Sequence, residues 1–276
     1  MPSWQPFLEA KDGLDGRVVI VGMPWDGSSS FRRGMRHAPD AIRIASHSLE
    51  SYSHIFRLDL RGFEVADLGN MLLPQSHEGV IDAISSLIFK LHSQGKRTVC
   101  IGGDHSVTVG IVDGLLKAYK ELRVIVFDAH SDWRDEYDGS RLSHACTVRR
   151  LTELVGIDNV LVFGARSFVG DEPMGLYRDI SELPWLVTPN VPTHISIDLD
   201  VLDPSIISAV SNPEPNGLHF HELVGAIQKL RIRGCCINSV DVVELCPQLD
   251  FGTSAIVAAR LIVECILGLL LSTQVG

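Results

Sequence analysis

RVIVFDAHSD, residues 123–132, begins as one kind of segment and ends as another. After Arg123 its first half is an unbroken apolar run, without the alternation of a strand that has one wet face. Such a run reads as a strand covered on both sides, the habit of parallel sheets. Its second half places Asp128, His130 and Asp132 at alternate positions. In extended chain those three side chains face the same way.

The same pattern recurs on both sides of this stretch. RVVIVG (17–22) and TVCIGG (98–103) precede it, and VLVFGAR (160–166), HISIDLD (194–200) and CCINSVDVVE (235–244) follow. Helical periodicity fills the gaps. Pro39 and Asp40 open one helix that runs through Ile42 and Ile44. Residues 77–94 carry Val80, Ile84, Leu87, Ile88 and Leu91 at helical spacing, residues 106–119 carry Val109, Ile111, Val112, Leu115 and Leu116, and residues 220–230 carry Leu223, Ile227 and Leu230. Repeated strand–helix alternation defines an α/β chain. No linker, internal repeat or low-complexity tract divides it, so a single domain over residues 1–276 is expected. A doubly wound sheet and a closed barrel both accommodate this pattern.

Polar residues gather where the strands end. Asp104 and His105 follow one, Asp128, His130 and Asp132 a second, Asp198 and Asp200 a third, and Glu244 a fourth. Ligand sites in open parallel sheets lie at the carboxyl ends of the strands. Asp128, Asp132, Asp198 and Asp200 bring four negative charges into an apolar setting, and no lysine or arginine lies within either motif. Clustered carboxylates are costly to bury unless something positive sits among them, and metal ions are the natural counter-charge. Two divalent ions balance four aspartates. A ligand set of oxygen and imidazole, with no thiolate, suits manganese better than softer ions. Taken singly, several of these residues have plainer readings. Asp132 could cap a turn, Asp203 before Pro204 reads as a turn residue, and His105 could be a satisfied loop histidine.

Bulk properties narrow the partners. A formal net charge of -10 argues against nucleic acid, which wants a basic surface, and weakly favours cationic small molecules. Cys100, Cys146, Cys235, Cys236, Cys246 and Cys265 form no CxxC pair, and the N-terminal MPSWQPFLEAKDGLDG lacks the basic-then-apolar order of a signal peptide. Both facts fit a reducing cytoplasm. SAIVAARLIVECILGLLL (254–271) is the one membrane-like stretch, but Arg260 and Glu264 interrupt it. It is expected to be a core or subunit-interface helix.

In order along the chain, GGDHS (102–106), DAHSD (128–132), SIDLDVLDP (196–204) and DVVELCP (241–247) resemble the ureohydrolase family, which holds arginases, agmatinases and related guanidino hydrolases. SSSFRRGMRHAPDAIR (28–43) resembles that family's substrate-side loop and following helix. The likeness spans nearly the whole chain. It implies a three-layer α/β/α sandwich with a mainly parallel sheet of about eight strands. It also implies a two-manganese site held by His105, Asp128, His130, Asp132, Asp198 and Asp200. Asp128 and Asp198 would bridge the ions, His105 and Asp132 would complete one shell, and His130 and Asp200 the other. Asp132 would also orient the attacking water, His144 in LSHAC would transfer a proton, and Glu244 would grip the guanidinium group. A homotrimer or homohexamer is implied as well.

DWRDEYDGSRLSHACTVRR (132–150), GARS (164–167) and NPEPNGL (212–218) look most like microbial agmatinases. Agmatine lacks a carboxylate, so an acidic pocket with DEYDG (135–139) is expected to suit it, and the expected reaction is agmatine plus water to putrescine plus urea. An acid-bearing substrate, as in guanidinobutyrase, arginase or formimidoylglutamase, would need a cationic anchor, for which Arg134 and Arg141 are available. A deacetylase of related fold uses one catalytic metal, and His105 in GGDHS fits it poorly. A non-catalytic family-derived binding subunit would be expected to have lost a ligand, and this chain has not. One departure stands beside the expected pocket. The family's glycine-rich turn after LDP reads SIISAVS here (205–211), with less backbone freedom.

Overall fold

β-branched side chains pack well on a pleated surface, and the apolar runs become strands wherever both faces can be covered. The computed structural model describes residues 4–271. The ends of the domain expected over 1–276, residues 1–3 and 272–276, lie outside the described residues. In chain order the strands are β1 (Lys11–Asp12), β2 (Val18–Gly22), β3 (Tyr52–Ser53), β4 (Leu58–Asp59), β5 (Val65–Asn70), β6 (Arg97–Ile101), β7 (Arg123–Phe127), β8 (Val160–Phe163), β9 (Tyr177–Arg178), β10 (Thr193–Asp198) and β11 (Ile237–Val243). The α-helices are α1 (Ala38–Ser46), α2 (His77–Ser93), α3 (Val107–Ala118), α4 (Thr147–Val155), α5 (Leu183–Leu186), α6 (Phe220–Ile232) and α7 (Thr253–Cys265).

Nine strands form one sheet in the order β1-β5-β2-β6-β11-β10-β7-β8-β9. Every pairing in it is parallel. The sheet is open, with β1 and β9 as edges, so the barrel is excluded. It has nine strands where about eight are expected. The difference lies in two-residue edge strands too short to leave a periodic signal. β3 and β4 pair separately as a small antiparallel hairpin. Ser53 Oγ of that hairpin donates to Glu264 of α7 at 2.5 Å.

Alternation along each strand divides the interior in two. In β2, Val18 and Ile20 face one core, and Val19 and Val21 face the other. The first core is closed by α1, α5, α6 and α7 and the second by α2, α3 and α4. Removing one such side chain from water is worth roughly 1.5–3 kcal/mol. α2 begins at Ser76, whose hydroxyl accepts from the Gly79 N–H, and presents Val80, Ile84, Ile88 and Leu91 inward. It lies close against α3 because Gly110 and Gly114 leave room for its backbone. A Cβ on Gly114 would stand 2.5 Å from the Ser85 carbonyl oxygen. The C-terminal stretch is a core element, and its apolar residues from Leu261 to Leu271 are buried inside the chain.

β6, β11, β10 and β7 are four adjacent strands at the centre of the sheet. These are the strands whose ends carry His105, Glu244, Asp198 and Asp128. Phe127 is in register with Ile197, so Asp128 and Asp198, each one residue further on, stand at the same level.

Candidate metal and substrate site

Four strand ends converge because the parallel pairing forces them to. Gly103 lets the turn after β6 pass against Trp25, whose carbonyl oxygen accepts from the Asp104 N–H at 2.7 Å. A Cβ on Gly103 would collide with the Trp25 backbone. The Gly103 carbonyl then accepts from the Glu244 N–H at 2.8 Å, fastening the end of β6 to the end of β11. Asp198 Oδ1 accepts from the Asp200 N–H at 2.9 Å, and Asp200 Oδ1 accepts from the Ala129 N–H at 3.0 Å. The segments after β10 and β7 are thereby joined through the carboxylates themselves.

Six of the expected residues meet there. His105 Nδ1 stands 3.1 Å from Asp128 Oδ2, 3.0 Å from Asp132 Oδ2 and 3.5 Å from Asp198 Oδ2. His130 Nδ1 stands 2.8 Å from Asp200 Oδ2 and 3.7 Å from Asp128 Oδ1. Two groups able to hold a metal ion result, His105–Asp128–Asp132 and Asp128–His130–Asp200, with Asp128 common to both. Asp128, Asp198 and Asp200 are buried.

The buried carboxylates repel one another and draw the neighbouring histidines toward their charged forms. Burial raises the Asp198 carboxyl well above its ordinary value, and repulsion from Asp200 and Asp128 adds to it. Asp200 is raised by burial and then by Asp128, and Asp132 is pushed up to about 6 by the same two causes. Burial opposes a charged ring at His130, yet contacts with Asp128 and Asp200 carry it up to about 11. His105 behaves likewise: burial works against the charge, and Asp128 and Asp132 raise the ring well above its ordinary value.

Hydrogen bonding around His105 tests whether a metal fits. Its Nε2 lies 3.1 Å from Ser196 Oγ, and Ser196 in turn donates to Asp241 Oδ1 at 2.7 Å. Asp241 Oδ2 also accepts from Thr108 Oγ1 at 2.8 Å and lies 3.0 Å from His194 Nε2. Ser196 has spent its proton on Asp241, so it accepts from His105 Nε2–H. With a cation in place of the ring's own charge, His105 would turn a lone pair at Nδ1 toward the carboxylates. His105 Nδ1 and Asp128 Oδ2 are both buried without a hydrogen-bond partner. Facing lone pairs in that arrangement are what a divalent cation joins, and an outer carboxylate behind a histidine is a recurring support of metal sites.

Glu244 and His144 face this cluster from one side. Glu244 Oε1 accepts from the His105 N–H at 2.7 Å and lies 3.2 Å from His144 Nδ1. Its Oε2 is buried and has no hydrogen-bond partner among the described residues. His144 is buried rather than solvent-facing. Its backbone N–H donates to Ser28 Oγ at 3.0 Å, and its Nε2 lies 3.0 Å from Ser30 Oγ. Burial disfavours a charged ring, but Glu244 overrides it and His144 is pushed up to about 9. Glu244 and Asp132 both have positive φ, 69° and 45°. Non-glycine residues in that region cost on the order of 1–3 kcal/mol and persist where surrounding contacts impose them. Here both aim a carboxylate into the site.

These groups line a cavity of about 160 Å³ that also includes Arg134, Tyr137 and Asn212. Of the two proposed anchors, Arg134 lines it, with its guanidinium 5.4 Å from the Tyr137 ring. Arg141 does not line it, and pairs instead with Asp135 and Glu153. Asp135, which also pairs with Arg149 and Arg150, Glu136 and Asp138 are absent from the lining. Asp203 is a turn residue as expected, accepting from Ser205 and Gly217. Sequence reasoning passed over Ser28, Ser30, Ser196, Asn212 and Asp241. Only the run SSS and the serine two residues before Asp198 offered a signal.

Residues 16–268 match the arginase family profile. The agmatinase of Bacillus anthracis is 34% identical over 280 residues, covering 96% of this chain and 97% of that protein. The N(1)-aminopropylagmatine ureohydrolase of Thermococcus kodakarensis is 32% identical over 264 residues, 89% of this chain and 88% of its own length. Among solved structures, the agmatine ureohydrolase of Thermoplasma volcanium superposes with a TM-score of 0.88 at 33% identity, over 96% of this chain and 94% of that one.

Proposed function

The chain belongs to the arginase family and is a ureohydrolase acting on an amidino C–N bond, and we propose that its substrate is agmatine, hydrolysed to putrescine and urea. The observation that carries this reading is the free Glu244 Oε2. It is a buried acceptor in the same small cluster as the unpartnered His105 Nδ1 and Asp128 Oδ2. Of the carboxylates that line the cavity, Glu244 is the one outside the proposed metal ligands, and it offers its free oxygen to a cationic group. A substrate carboxylate has only Arg134 to meet it, and an unpaired buried charge is costly.

His105, Asp128, His130, Asp132, Asp198 and Asp200 would hold two manganese ions. When bound, the pair supplies the charge that makes water nucleophilic near neutral pH and stabilises developing charge on the reacting carbon. Glu244 Oε2 accepts guanidinium N–H groups in a charge-assisted contact. Its other oxygen is fixed by the His105 N–H, so the carboxylate cannot swing away. Asp132, held at its unusual φ, accepts a hydrogen bond from the attacking water and orients it. As the C–N bond breaks, His144 delivers a proton to the departing amine nitrogen. Glu244 keeps that proton on the ring at neutral pH. We also propose a homotrimer or homohexamer working in the cytoplasm. Light scattering that gives a monomer of about 30 kDa overturns the assembly.

The test of substrate choice is kcat/KM for agmatine, arginine, 4-guanidinobutyrate and formimidoylglutamate on one manganese-loaded preparation, with N(1)-aminopropylagmatine as a fifth. Agmatine is expected to lead the acid-bearing compounds. If one of them leads by tenfold, about 1.4 kcal/mol in transition-state discrimination, the agmatine reading is wrong.

A further inference from the structure

Arg166 has no carboxylate partner among the described residues, yet its guanidinium is fully engaged. Nε donates to the Pro215 carbonyl at 2.8 Å. Nη1 reaches the carbonyls of Gly164 at 3.1 Å and Val201 at 3.3 Å, and Nη2 those of Asp200 at 2.8 Å and Glu214 at 2.7 Å. An arginine has five N–H donors in a planar fork, and here five carbonyl oxygens receive them. These oxygens belong to three separate segments, at the end of β8, in the turn after β10, and in the loop 212–217. The backbone N–H groups of Arg166 and Ser167 both donate to the Ala129 carbonyl, at 2.8 and 3.0 Å. Ala129 lies between Asp128 and His130, and its own N–H is bonded to Asp200 Oδ1.

The segments that meet at Arg166 therefore carry Asp200, His130 and Asp128, which form one of the two metal-holding groups. They do not carry His105, and Asp132, two residues beyond His130, lies past the last contact of that segment with Ser167. His105 is fixed from elsewhere, through Ser196 and through the Glu244 carboxylate on its N–H. The Asp132 carbonyl is held by the Arg149 N–H.

We propose that Arg166 is a positioning residue for one metal position only. By clasping five carbonyls it sets the spacing of Asp200 against Asp128 and His130, and so fixes the affinity of the second ion while leaving the first nearly untouched. This rests on the two-ion reading above. A lysine offers three donors on a flexible stem and cannot span three segments, so Arg166→Lys keeps the charge and loses the clasp.

The experiment is manganese titration of the metal-free full chain, by calorimetry and by electron paramagnetic resonance of the bound ion pair. It compares wild type, Arg166→Lys and Arg166→Met, with thermal melts alongside. Wild type is expected to bind two ions. Both variants are expected to retain one affinity within about threefold, and to weaken the other by tenfold or more, in the range seen when outer supports of metal ligands are removed. The spin-coupled signal is then lost at metal concentrations that saturate wild type. If both affinities fall equally, or neither falls in a folded variant, Arg166 is structural and the proposal fails. If wild type itself takes up one ion, the two-ion reading fails instead, and the stoichiometry identifies that outcome. Should Arg166→Met fail to fold, Arg166→Lys alone gives the same two-affinity comparison.

Discussion

Two of the buried polar clusters in this sheet are built on opposite terms. Toward the amino ends of the central strands, His92 Nε2 lies 3.1 Å from Thr98 Oγ1, and its Nδ1 lies 2.9 Å from the Tyr119 hydroxyl. Thr98 donates to Ser239 Oγ, and Asn238 donates to Tyr119. Donors and acceptors match with the ring neutral. Burial, helped by His194, pushes His92 down to about 4. At the carboxyl ends the opposite holds. His105 Nδ1, Asp128 Oδ2 and Glu244 Oε2 are buried without partners, carboxylates repel one another, and two residues sit at positive φ. Buried polar groups are ordinarily satisfied, and exceptions ask for a reason. The first cluster stabilises the fold; the second gives up stability for binding.

That contrast makes opposite demands on mutation. The largest effect is expected at Asp128, common to both metal-holding groups. Asp128→Asn should lower kcat/KM for agmatine by at least about three orders of magnitude, about 4 kcal/mol, and Asp200→Asn by less. Equal losses from steady-state kinetics would remove the bridging distinction. In the same region Asp198→Asn should raise the melting temperature of the metal-free chain at neutral pH, because it removes a carboxyl whose ionisation is opposed by burial and by its acidic neighbours. A lower value would mean that repulsion is not the governing cost.

His92 should do the reverse. Its folded pKa of about 4 lies below the ordinary 6.5, so the unfolded chain takes up a proton first as pH falls. The contribution is whole above about pH 6.5 and is lost down to about pH 4, amounting to about 3 kcal/mol. Urea unfolding at pH 7 and pH 5 should show a decline for wild type and a smaller decline for His92→Gln. Parallel slopes would show that His92 is not the group responsible.

Next comes His144→Asn, expected to cut kcat by about 100-fold with the metal count unchanged. A loss of bound metal would make His144 part of the metal site rather than a proton donor. Smallest of all is Arg141→Ala. Its partners lie on the exposed surface away from the cavity, so agmatine kcat/KM should stay within twofold. A larger shift would restore it as a substrate anchor.

The central strands were legible because β7 is almost wholly apolar, because β6, β10 and β11 place branched apolar residues ahead of the polar groups that end them, and because those terminal groups break the pattern. β5 was hidden by Asp67, a buried residue whose carboxylate is paired with Arg43 at 2.8 Å. A strand with a buried ion pair does not read as apolar. Helix α4 was hidden similarly, since Arg150 is buried in a network with Asp135 and Glu153. Spacing could place Asp128 and His130 together, but it could not reveal the positive φ of Glu244 or the missing partner of its Oε2. Nor could it choose between Arg134 and Arg141. That choice depends on which way the loop after Asp132 folds, and Arg150 decides it by holding the Asp135 and Arg141 carbonyls.

Whether the unsatisfied cluster is a two-ion centre is decided by metal analysis of the manganese-activated chain, read against urea release as metal is withdrawn and restored. Two ions per chain, with activity falling as the second is removed, is the expected result; a single tightly bound ion at full activity would contradict it.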